Sequence, residues 1–184
     1  TGANISVIQE SLARKCGMEI LPDTFSVRAL TGAMVTSRLA VAPEIRLGEM
    51  RIERAVFLVF GDADLSFPTA DYEIKGIIGF PVIRDLEELH LYADGDLFIP
   101  QEPRHHSTSN LLIDQLTPVV RVVYQDDTLD LQLDTGASHT QFHHSFYQRF
   151  AARDSAFFYS QQIVSGGAGG MVTTEGYGMG QITI

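Results

Sequence analysis

Thr128-Leu129-Asp130-Leu131-Gln132-Leu133-Asp134-Thr135-Gly136-Ala137-Ser138 is the stretch on which the fold turns. Its first six residues alternate polar and apolar with period two, the pattern of a half-buried strand. Upstream, Thr117-Pro118-Val119-Val120-Arg121-Val122-Val123-Tyr124 is a second β-rich run, and Gln125-Asp126-Asp127 supplies turn residues between the two. The spacing predicts a hairpin that delivers Asp134 to the end of a strand, where a short loop of small residues follows.

The loop has a copy. Thr1-Gly2-Ala3-Asn4 lines up with Thr135-Gly136-Ala137-Ser138, and further on Met34-Val35-Thr36 lines up with Met171-Val172-Thr173. Order is preserved with about three residues inserted between the landmarks, so the chain reads as two parallel copies of one unit. After each loop comes a short helical pattern, Val7 to Cys16 in the first copy and Phe142 to Phe150 in the second. Before each Met-Val-Thr comes a glycine-bearing turn, Thr31-Gly32-Ala33 in one copy and Ser165 to Gly170 in the other.

The remaining elements read as strands joined by turns. Phe25 to Leu30 and Met34 to Val41 form a hairpin around Gly32; Glu44 to Leu47 and Ile52 to Phe60 add strands; Tyr72 to Phe80 is an apolar strand bracketed by glycines. Pro81 to Leu89 has the spacing of a short helix, and Leu89 to Tyr92 pairs with Leu97 to Ile99 around Ala93-Asp94-Gly95-Asp96. Residues 101–110 are polar, carry no periodicity and read as a linker between 1–100 and 111–184.

Composition narrows the function classes. A net charge of −10 and the lack of a Lys/Arg cluster argue against a nucleic-acid partner. Cys16 is the one cysteine, which removes an intrachain disulfide and a cysteine-based zinc site. No apolar stretch approaches the roughly 18 residues that span a bilayer. The chain opens inside the repeated motif and closes on Gln181-Ile182-Thr183-Ile184, an alternation cut in mid-strand, so it reads as an internal stretch of a longer protein. Compartment and membrane association stay open on the same ground.

Asp134-Thr135-Gly136-Ala137 and the apolar Gly76-Ile77-Ile78-Gly79 together resemble the retropepsin-like aspartic peptidases, in the tandem arrangement of their bacterial members. That resemblance implies an all-β, acid-protease β-barrel built from two tandem half-domains, each with a short helix, related by a pseudo-twofold axis. The first half-domain would lack its N-terminal strands and catalytic Asp, and the second its C-terminal strands. The implied activity is endopeptidase hydrolysis of a peptide or protein substrate, with no cofactor and no metal; this stretch alone would be inactive. Two nearby carboxylates that cannot both ionise share one proton, so that one activates water and the other assists the carbonyl oxygen. Asp134 is then catalytic; Thr135, Gly136 and Ala137, with Thr1, Gly2 and Ala3, are the active-site loops; Gly136 lets its loop crowd the other. Gly32, Ala33, Gly167 and Gly169 lie in flap hairpins over the substrate. The glycine-richer flap is expected to be the more mobile.

Other candidates carry less. His105-His106 and His143-His144 are adjacent pairs without spaced carboxylates, so surface histidines are expected rather than metal ligands. Ser165 to Gly170 has the glycines of a phosphate loop but no following Lys-Ser/Thr. Cys16 closes an apolar pattern and is expected to be a buried small hydrophobe, and the Tyr and Phe residues read mostly as core. The competing reading is a catalytically inactive peptide-binding protein of the same fold; a scaffold barrel without a groove comes third. The residue before Thr1 separates the first two, since Asp there supports an enzyme.

Overall fold

The computed structural model describes residues 2–29, 32–68, 71–105, 107, 109–124, 126–152 and 159–178. Thr1 and the 181–184 alternation lie outside the described residues. Strand β1 (Ser6–Gln9) runs directly into helix α1 (Glu10–Lys15), and β2 (Glu19–Arg28), β3 (Met34–Leu47) and β4 (Met50–Phe60) follow as two long antiparallel hairpins. A 3₁₀ turn (Asp62–Leu65) leads to β5 (Ser66–Phe67), β6 (Tyr72–Glu73), β7 (Gly76–Ile77) and helix α2 (Phe80–Asp85). Beyond these come the short hairpin β8 (His90–Leu91) and β9 (Leu97–Phe98), then β10 (Leu111–Asp114), β11 (Thr117–Tyr124) and β12 (Asp127–Gln132). Helix α3 (His144–Phe150) and the hairpin β13 (Tyr159–Gly167) and β14 (Gly170–Gly178) complete the described elements.

The main sheet has the order β2-β3-β4-β1-β7. At its centre β1 pairs in parallel with β4, Ser6 opposite Phe57 and Gln9 opposite Phe60, and antiparallel with β7. All four residues of β1 are buried because both of its faces are covered, the polar Ser6 and Gln9 included. Period two still sorts the neighbours. Ile8, Phe57 and Val59 join Ala13, Met18, Val82 and Leu86 on one face; Val7, Leu58 and Phe60 join Val35 and Leu65 on the other. Helices α1 and α2 therefore cover the first face. In α1, Glu10 in the first turn and Arg14 and Lys15 in the last complement the helix dipole, and Pro81 starts α2 where its missing N–H costs nothing.

The C-terminal strands form a three-stranded meander, β10-β11-β12, and the separate hairpin β13-β14. Tyr124 from β11 packs edge-on to Phe150 at 5.1 Å between ring centroids, and Phe142 stacks on Phe146 at 4.0 Å, seating α3 on the meander. The hairpin expected over 117–133 is present in the expected place.

Several expectations are corrected. The helix expected from Val7 begins at Glu10, since a short apolar run buried on both faces suits strand and helix equally and sheet pairing decides. Cys16 is exposed, because it lies just past the last turn of α1 and not on its packed face. The strand expected over Tyr72–Phe80 divides into β6, β7 and the first residue of α2, and Glu44–Leu47 is the end of β3 rather than a separate strand. Tyr72, Tyr92 and Phe98 are exposed. No closed barrel forms among the described residues: β2 and β7 are open edges of the main sheet, and the C-terminal strands are shared between two sheets.

Candidate active site

Asp134 lies two residues past β12, in a tight turn where its carbonyl oxygen accepts the Ala137 N–H at 3.2 Å. Its Oδ1 accepts two backbone amides, from Gly136 at 2.9 Å within the same loop and from Gly2 at 2.8 Å across the molecule. Gln132, on the same face of the strand as Asp134, donates its Nε2 to the Gly2 carbonyl oxygen at 3.2 Å. Both backbone polar groups of Gly2 are thus taken up by side chains flanking Leu133. On the other side, the Ala3 carbonyl accepts the first amide of α2, that of Phe80, at 2.9 Å.

Glycine is required at two points here. A Cβ on Gly2 would stand 2.3 Å from Asp134 Oδ2, and one on Gly79 would stand 2.4 Å from the Ser6 amide nitrogen. Gly79 also donates to the buried Ser6 hydroxyl at 2.9 Å, so the Gly76–Gly79 segment is pressed onto the backbone beside the residue-2 loop. Among the described residues, the close approach between the two loops falls at Gly2, while a Cβ at Gly136 would meet Asp134 Oδ1 of its own loop at 3.3 Å.

Asp134 is half-buried. Burial works against its ionisation, but the amides of Gly136 and Gly2 hold the carboxyl below the usual carboxylate range. A carboxylate kept ionised and aimed by two amides is suited to accept a proton from water.

The structure brings Asp134, Gly136, Gly2 and Ala3 together, with Thr135 and Ala137 exposed on the same loop. Gly32 and Ala33 sit at the exposed tip of the β2-β3 hairpin, where Gly32 donates to the Ala29 carbonyl. Gly167 and Gly169 form the tip of β13-β14, which rests on the 3₁₀ turn and β5: Gly169 donates to the Asp64 carbonyl at 3.0 Å, and Ala168 packs with Leu65 and Phe60. A cavity of about 140 Å³ lined by Phe67, Tyr72, Ile74, Gly166 and Met171 lies beneath that tip. Gln132, Ser6 and Asp64 were not singled out from the sequence. Only Gln132 left a signal there, sharing the alternation phase of Asp134.

His143 caps α3 and His144 packs against Tyr147 at 5.9 Å between ring centroids. Among the described residues, no group of three or more His, Cys, Asp and Glu side chains could hold a metal ion.

Residues 1–82 match the family model described as aspartyl protease, a likeness of this part of the chain to that family. The match spans the residue-2 loop, the main sheet and the start of α2, and it ends before Asp134. No curated protein and no solved structure matches the chain.

Proposed function

We propose that the intact protein is an aspartic-type endopeptidase of two tandem half-domains, about 1–100 and 111–184, with Asp134 as one catalytic carboxylate. The observation that carries this reading is the hydrogen bond from Gly2 to Asp134 Oδ1 at 2.8 Å. Gly2 is the counterpart of Gly136 in the repeat, so the counterpart of Asp134 is the position immediately before Thr1. The bond therefore sets the two repeated loops against each other, as a shared-proton pair of carboxylates requires. In the substrate complex, one carboxylate takes a proton from the attacking water while the other donates its proton to the carbonyl oxygen. The two titrate as a unit. An extended peptide lies under the hairpins around Gly32 and Gly167–Gly169.

The test is hydrolysis of a peptide library by the intact protein and by its Asp134→Asn variant. That substitution keeps the shape and removes the proton acceptor, so turnover is expected to vanish while folding persists. Undiminished turnover in Asp134→Asn overturns the assignment. Peptide binding without turnover in the unsubstituted protein supports a silent peptide binder instead.

A further inference from the structure

Asp134 carries two duties that conflict. Its carboxylate accepts the amides of Gly2 and Gly136, and in a peptidase the same carboxylate changes its protonation during each turnover. A protonated carboxyl is a weaker acceptor than a carboxylate, since hydrogen bonds to an ionised group are roughly twice as strong as neutral ones. If Asp134 alone tied the residue-2 loop to its own loop, that tie would slacken at each protonation. A second tie exists that does not titrate. Gln132 Nε2 donates to the Gly2 carbonyl at 3.2 Å, and an amide side chain keeps this donor at any pH at which the protein is folded.

Period-two geometry puts Gln132 and Asp134 on one side of the chain, with Leu133 between them pointing away. They present a donor and an acceptor spaced for the C=O and N–H of one residue, as an edge strand would, and Gly2 fills that place. A Cβ there would meet Asp134 Oδ2 at 2.3 Å, so the fit depends on glycine.

We propose that Gln132 is a positioning residue that holds the residue-2 loop in register with Asp134 whatever the protonation state of that carboxylate. The role in turnover rests on the peptidase reading; the clamp itself does not. Among the described residues, the amides of Gly2 and Gly136 are set against the Asp134 carboxylate. Acid thus weakens those two bonds and leaves the Gln132 bond to the Gly2 carbonyl unaltered.

The experiment uses the intact protein and the variants Gln132→Leu and Gln132→Glu. Two readouts are followed against pH: hydrogen exchange of the peptide covering residues 2–5, and kcat and KM for a cleaved peptide. Gln132→Leu is expected to lower kcat about tenfold with KM nearly unchanged, the mark of lost alignment rather than lost binding. Its protection at residues 2–5, taken relative to the intrinsic exchange rate at each pH, is expected to fall as the pH falls, whereas the unsubstituted protein stays protected. Gln132→Glu has the opposite sign: it lacks the donor when ionised and regains it when protonated, so protection returns in acid. A Gln132→Leu protein with unchanged kcat, and with unchanged exchange at every pH, overturns the proposal. If the unsubstituted protein cleaves no peptide, the exchange arm decides the clamp by itself and the peptidase reading alone falls.

Discussion

Gly2 and Asp134 are one structural unit at the scale of the residue, and substitutions there have computable signs. Gly2→Ala drives a methyl group into the Asp134 carboxylate, whereas Gly136→Ala meets only the flank of its own loop at 3.3 Å. Overpacking of this kind costs about 1–3 kcal/mol, which corresponds to a Tm lower by roughly 2–10 °C for a chain of this length. Differential scanning calorimetry of the two variants is expected to show the larger loss for Gly2→Ala. A second outcome concerns acid. Because the folded state holds the Asp134 carboxyl below its ordinary value, its contribution to stability is present above the usual carboxylate range and disappears as pH falls through the lowered folded value. Urea midpoints of the unsubstituted protein and Asp134→Asn are therefore expected to differ at pH 7 and to converge near pH 2, with the gap kept modest by partial solvent exposure. Asp134 was legible in the sequence because an alternating strand ends on it. The part played by Gln132 was not, since nothing local to residues 128–138 tells which distant carbonyl its amide will meet.

At the scale of the element, the two glycine hairpins differ in a way that composition alone misstates. Glycine content favours mobility in Ser165 to Gly170, yet that tip is tied to the 3₁₀ turn by the Gly169 to Asp64 bond and rests beside Phe67, while a Cβ at Gly32 would find open space. Exchange at 166–170 in the substrate-free protein is expected to be slower than at 29–33, the reverse of the order expected from glycine count. Phe67→Ala removes a ring that contacts Gly166 and is expected to speed exchange at 166–170 while leaving 29–33 unchanged; equal rates at both sites would refute the tie. Backbone freedom is a local property that sequence displays. The contact that cancels it joins residues about a hundred positions apart and leaves no local mark.

For the whole molecule, repetition was the most legible feature and closure the least. The copies of Thr-Gly-Ala and Met-Val-Thr locate both loops and both hairpins from sequence alone, yet the parallel pairing of β1 with β4 is long-range and turned the expected start of a helix into an interior strand of the sheet. The meander leaves Leu111, Leu112, Ile113, Val123 and Leu133 exposed. A chain of net charge −10 keeps such surfaces apart by repulsion, and salt screens it, so sedimentation of the 184-residue chain is expected to show self-association that grows with ionic strength.

The position of β1 also bears on synthesis. Ser6–Gln9 is synthesised before its parallel partner, Phe57–Phe60, which follows about fifty residues later, at roughly 5–20 residues per second a delay of several seconds. Through that interval a tetrapeptide whose four residues are all buried in the folded sheet waits without its partner. That wait ends before any part of the loop around Asp134 has been made.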